Sequence, residues 1–204
     1  MLFRTLALAA TLLVGMPAHA ANPVVELDTT AGTIRIELYP DAAPKTVANF
    51  LEYVKAKHYD GTQFHRVIDG FMIQGGGYTA DFKPKPTRPP VVNEAEMSSK
   101  AGILNVPGTI AMARTSDPNS ATSQFFINVN DNRSLNFRSP EASGIGYTAF
   151  GKVVSGMDVV GKIAKAPKGK AVPPGVPISP NDLPKDAIVI NKATVVDASA
   201  SPAK

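Results

Sequence analysis

Cysteine is absent from this chain, and so is tryptophan. Without cysteine there is neither a disulfide nor a thiolate metal ligand, and an oxidising compartment poses no hazard. Histidine is nearly absent too: His19, His58 and His65 are the three present, too few and too scattered for a zinc set. No Gly-x-Ser-x-Gly elbow, His-Glu-x-x-His pair or Walker Gly-Lys-Ser/Thr run occurs, so the usual signatures of serine hydrolases, zinc peptidases and P-loop enzymes are missing. Charge of one sign is also lacking. With 21 basic and 17 acidic residues the formal charge is +4, too balanced for a nucleic-acid-binding surface.

Long apolar runs are missing after residue 20, and the one before it is informative. Arg4 precedes the largely apolar stretch Leu6 to Val14, and Ala18-His19-Ala20 follows as a small-x-small cleavage pattern. The run is shorter than the roughly 20 residues that cross a bilayer. Residues 1–20 are therefore expected to be a signal peptide, leaving residues 21–204 as one exported domain, periplasmic, soluble and without a membrane anchor. At 44% apolar residues the chain can bury a sizeable core.

What is present is strand-rich. Val24 to Asp28 and Thr33 to Leu38 are β-type runs joined at Ala31-Gly32, the second strictly alternating. Pro44 suits a first helical turn, and Val47, Phe50, Leu51 and Val54 follow at helical spacing. Further strands are predicted at Gln63 to Ile68, Phe71 to Gln74, Gly108 to Ala113, Gln124 to Val129, Tyr147 to Val154 and Ile188 to Val196. Ser155-Gly156-Met157-Asp158 reads as a capping box before a helix that buries Val159, Val160 and Ile163. Two helices and about eight strands favour a closed barrel with helical plugs, with a two-sheet sandwich as second choice. Thr79 to Pro107 and Ala166 to Pro184 are proline-rich loops, too long to be simple turns.

Chemistry concentrates in Phe64-His65-Arg66-Val67-Ile68-Asp69-Gly70-Phe71-Met72-Ile73-Gln74-Gly75-Gly76-Gly77. Strand alternation would put Arg66 on one face with Phe64, a cation beside aromatic surface. The bland alternative is an arginine snorkelling over a sheet edge. The triple glycine suits close backbone approach better than a phosphate loop, because no capped helix follows it. His65 reads as structural.

These residues resemble the signature of the cyclophilins. Two more blocks follow in the family's order: Met112-Ala113-Arg114-Thr115 through Ser123-Gln124-Phe125-Phe126-Ile127, and Phe150-Gly151-Lys152-Val153-Val154-x-Gly156-Met157. The resemblance spans Val24 to Val196. It implies a mainly β fold, a closed eight-stranded antiparallel barrel capped by two α-helices, with peptidyl-prolyl cis-trans isomerase activity in a groove on its outer face. By position, Arg66 resembles the catalytic arginine and Gln74 its hydrogen-bonding support. Phe71, Met72, Phe126 and Leu135 match the walls of the proline pocket, Ala113 and Arg114 the backbone that meets the residues before proline, and Gln124 the glutamine lining that groove. A pocket tryptophan common in the family falls at Ser134, and a pocket histidine at Tyr147, which still supplies an aromatic wall. The implied partners are proline-containing polypeptides, with no cofactor, metal or nucleic acid, and a monomer is the expected form. The rival readings are a proline-peptide-binding chaperone module with little turnover and a barrel that carries a small apolar ligand.

Overall fold

Alternation in Thr33 to Leu38 sends Ile34, Ile36 and Leu38 to one face, and all three are fully buried. The computed structural model describes residues 21–196; the signal peptide expected over residues 1–20 lies outside the described residues. The strands are β1 (Val24–Thr29), β2 (Gly32–Leu38), β3 (Arg66–Ile68), β4 (Met72–Gly75), β5 (Thr109–Met112), β6 (Phe125–Asn128), β7 (Ala149–Ser155) and β8 (Ile190–Val196). They form one sheet in the order β3-β4-β6-β5-β7-β2-β1-β8, antiparallel throughout. The outermost strands β3 and β8 make no ladder with each other. The chain leading into each of them meets instead: Gln63 bridges Val189, Phe64 N–H donates to Ile188 O at 2.9 Å and Ile190 N–H to Thr62 O at 2.8 Å. The result is an eight-stranded antiparallel sheet curled into a half-barrel.

Two main helices pack into the inner face, α1 (Pro44–Lys55) and α3 (Met157–Ala164). From α1, Val47, Phe50, Tyr53 and Val54 join the core, where Phe50 meets Phe125 edge-on at 5.6 Å and Phe150 at 5.2 Å. Val160 and Ile163 of α3 are fully buried. The expected capping box at Ser155 is not used. Ser155 closes β7, and Gly156 is the N-cap at φ 89°, with no side-chain cap. A Cβ there would stand 2.3 Å from Thr33 O, so the close crossing of β2 demands glycine.

The loop from Thr79 to Pro107 contains a further short helix, α2 (Ala95–Lys100), that the sequence pattern did not announce. Its preceding residue Glu94 caps α1 from 48 residues away. Pro44 opens α1 without an N–H, and the next two amides, Lys45 N–H and Thr46 N–H, donate to the Glu94 carboxylate at 3.1 and 2.8 Å, with Thr46 Oγ1 at 2.7 Å. A local side-chain cap is absent because this distant anion replaces it and also sits favourably at the helix N-terminus.

His65, just before β3, is buried with its ring edge-on to Tyr78 at 5.0 Å, and its Nδ1 has no hydrogen-bond partner. Burial pushes its pKa down to about 4, and the Arg66 charge pushes the same way, while the Gln63 backbone and the Gln124 side chain oppose part of it. The folded state thus favours the neutral ring.

Two stability measurements follow from these buried groups. Glu94→Ala is expected to cost about 2–3 kcal/mol, since it strips the α1 amides and leaves the Thr46 hydroxyl unpaired; Glu94→Gln, which keeps an acceptor, should cost less. An unchanged denaturant midpoint for Glu94→Ala would refute the capping role. For His65, a folded pKa below the unfolded value near 6.5 means that its contribution is whole above pH 6.5 and is lost as pH falls towards 4. That loss is at most about 3 kcal/mol. Denaturant titrations from pH 7 to pH 4 should therefore show a steeper decline for the wild type than for His65→Gln, and parallel declines would exclude His65 as a source.

Candidate active site

A half-buried sheet normally alternates apolar and polar residues, but here both faces carry apolar side chains. In β4, Ile73 enters the inner core while Met72 belongs to a separate cluster, and in β6 Phe125 and Ile127 enter the core while Phe126 does not. Ala111 of β5 and Ala149 of β7 complete the second cluster, with Phe71, Ala113, Leu135 and Tyr147 packed against it. The outer face therefore has an apolar floor where solvent-facing polar residues would be usual.

Over that floor lies a cleft of about 260 Å³, lined by Arg66, Phe71, Met72, Gln74, Ala113, Arg114, Phe126, Leu135 and Tyr147. Nine of the ten residues singled out in the sequence thus converge on one cavity. It is smaller than the roughly 300–1,000 Å³ of drug-sized sites and suits one side-chain-sized group. The tenth residue, Gln124, lines an adjoining cavity with Gln74 and Ala113. Gly77 lets it lie there, since a Cβ on Gly77 would stand 2.7 Å from the Gln124 amide.

The two arginines at the cavity are held differently. Arg114 is engaged: its Nε donates to Gly146 O at 3.0 Å, its Nη1 to Thr115 O at 2.9 Å, and the guanidinium stacks 4.5 Å from the Tyr147 ring centre. Tyr147 in turn meets Phe126 edge-on at 5.8 Å, so this wall is fixed as a stack. Arg66 is half-exposed, and its one hydrogen bond among the described residues runs from Nε to Asp182 Oδ2 at 3.4 Å. Its terminal nitrogens are uncommitted.

Two expectations need correction. Phe64 does not share a face with Arg66; it sits in the inner core with Val67, because regular pairing begins only at Arg66. Gln74, though opposite Arg66 in the β3/β4 register, donates its amide to Gln124 Oε1 at 3.0 Å rather than bonding Arg66. Ser134, the position at which the family's pocket tryptophan falls, is exposed in the 3-10 turn Arg133–Leu135 and leaves that side of the cavity to Leu135 beside it.

Sequence reasoning missed a set of buried amides behind the pocket wall. Asn132 Nδ2 donates to Phe71 O at 2.8 Å and to Asn128 Oδ1 at 2.7 Å, and Asn128 Nδ2 donates to Asn105 Oδ1 at 3.2 Å. Asn105 Nδ2 reaches Leu135 O and Tyr147 O, each at 3.2 Å. Three wall residues are thus tied by their carbonyls to one network. The cluster of asparagines after Ile127 hinted only at a turn.

Among the described residues no group of three His, Cys, Asp or Glu stands together as a metal site would require. A sequence model of the cyclophilin type peptidyl-prolyl cis-trans isomerase/CLD family matches residues 24–195. The chain is 51% identical over 172 residues to peptidyl-prolyl cis-trans isomerase cyp18 of Streptomyces antibioticus, covering 84% of this chain and 98% of that protein. It is 48% identical to peptidyl-prolyl cis-trans isomerase B of Escherichia coli, covering 84% and 99%. Among solved structures, a Cryptosporidium parvum cyclophilin crystallised in the presence of the dipeptide Ala-Pro superposes with a TM-score of 0.65 at 26% identity, covering 85% of this chain and 99% of that one. A family match over residues 24–195 and relatives 51% and 48% identical over most of their length, all named for one activity, show that the chain belongs to the cyclophilin-type peptidyl-prolyl cis-trans isomerase family.

Proposed function

We propose that Arg66 drives the isomerisation, by donating from its terminal nitrogens to the proline nitrogen of a twisted X-Pro amide seated on Met72 and Phe126. The observation that carries this is the uncommitted guanidinium fork beside an apolar floor. Rotation about an X-Pro bond breaks amide resonance over a barrier of about 18–20 kcal/mol. As the bond twists, the nitrogen regains a lone pair that the planar amide had delocalised, so a donor aimed at it binds the twisted state better than either planar one. Nothing covalent is made, and the guanidinium keeps its charge throughout.

The required effect is modest. Uncatalysed rates near ~0.01 per second and a turnover of ~100 per second differ by roughly 10⁴, or about 5–6 kcal/mol. Half-exposed Arg66 supplies its share only when the bound peptide covers it and water leaves the cleft. Phe71, Leu135 and Tyr147 hold the proline ring, while Ala113, Arg114 and Gln124 meet the preceding residues. The Ala-Pro dipeptide present with the C. parvum cyclophilin supports a proline-containing peptide as occupant.

The clients in this reading are exported polypeptides in the periplasm, whose folding the enzyme assists as a monomer. The apolar run and Ala18-His19-Ala20 pattern support export.

In a proline-peptide isomerisation assay, Arg66→Ala is expected to lower turnover on the order of 10²–10³-fold with folding nearly intact. Equal turnover would overturn the mechanism, and low turnover of the wild type with firm peptide binding would favour a chaperone module. Phe126→Ala should instead raise KM and cost about 3 kcal/mol of stability, because its ring is buried in the cleft floor. Protein recovered from a Gram-negative export host should have the mass of a chain beginning at Ala21; a mass that retains residues 1–20 would contradict export with cleavage.

A further inference from the structure

The proline-rich stretch from Ala166 to Pro184 is not a slack loop. Leu183 is fully buried and Ile178 nearly so. Gly169 N–H donates to Leu183 O at 3.0 Å and Lys185 N–H to Pro167 O at 2.7 Å, closing the stretch on itself. Pro177, Pro180 and Pro184 fix φ along its return limb, which contains the 3-10 turn Pro180–Asp182. This strap runs beside the β3 edge, across a cleft of about 350 Å³ that Arg66, Gln74 and Gln124 line from the sheet side and Ile178 and Asp182 from the strap side. Asp182 Oδ2 meets Arg66 Nε there at 3.4 Å.

The geometry points to Asp182 as a positioning residue for Arg66, set by the strap so that the arginine presents its terminal fork to the proline cleft. A guanidinium has five N–H groups, one on Nε and four on the terminal nitrogens. Asp182 takes the Nε–H, the one least useful for reaching across the cleft, and leaves the other four uncommitted. Gln74, the residue opposite Arg66 in the ladder, is occupied with Gln124 and does not hold it. An ion pair this exposed contributes little to folding. Its consequence is orientation: a long side chain with many rotamers is restricted to those that keep Nε against the strap. The pair tightens when a bound peptide removes water from the cleft.

This inference rests on the catalytic role of Arg66, and the test separates the two. Asp182→Ala is expected to lower kcat roughly three- to tenfold with KM within about twofold, since positioning acts on the transition state and not on peptide binding. Asp182→Glu should recover most of the loss, and Asn181→Ala, an exposed neighbour on the same turn, should leave kcat unchanged. In an Arg66→Ala background, adding Asp182→Ala should change the residual rate no further. Unchanged kcat in Asp182→Ala, failure of Asp182→Glu to recover it, or an undiminished loss in the Arg66→Ala background would each overturn the positioning role. If Arg66→Ala itself retains full turnover, the reading of Arg66 fails first; if it is impaired while Asp182→Ala is not, only the role of Asp182 falls.

Discussion

The buried amide chain through Asn105, Asn128 and Asn132 is the constraint on which the cleft depends. Its floor comes from strands, whose ladders place Met72 and Phe126 without further help. Its walls at Phe71, Leu135 and Tyr147 belong to irregular chain, which has no ladder to define it. There the asparagine side chains add to the sparse backbone bonding: Asn132 donates to Phe71 O, which Val129 N–H also reaches, and Asn105 donates to Leu135 O, which Tyr147 N–H also reaches, and to Tyr147 O. Because Asn128 itself sits on β6 beside Ile127, the network refers the loose walls to the same strand that carries the floor. An apolar pocket is thus shaped by a polar scaffold behind it.

The second requirement is a sheet that is apolar on both faces. One face must fill the core with Ile73, Phe125 and Ile127, and the other must stay apolar enough to desolvate a proline ring. Exposing that outer floor carries a risk of non-specific association. The Arg114–Tyr147 stack and the charged rim around Arg66 limit it by covering one side with cations. In the proposed mechanism recognition and turnover divide along the same line: the floor grips, and the cation at its edge discriminates the twisted amide.

Much of this was legible in the sequence, for a physical reason. All eight strands and both main helices follow from local periodicity, which the chain carries in its own residues. The double apolar face is written into Phe125-Phe126-Ile127, where alternation is absent. Contacts between distant segments were not legible. Glu94 replaced a local cap on α1, Gly156 replaced Ser155 because Thr33 crosses too closely, and Gln74 chose Gln124 over Arg66. The position of Asp182 was hidden in a stretch whose prolines announced only a loop. The resemblance to the cyclophilins supplied the candidate site residues, and it carried nothing about the amides behind them or the strap beside them.

The placement of β1 between β2 and β8 has a further meaning for how the molecule comes into being. Its partner on one side is next in the chain, and its partner on the other is the last of the eight described strands. Until that strand arrives, β1 presents an open row of amides and carbonyls and the inner core lacks Ile190 and Ala193. Completion therefore waits on the most sequence-distant pairing in the fold, which makes assembly slow relative to its helices.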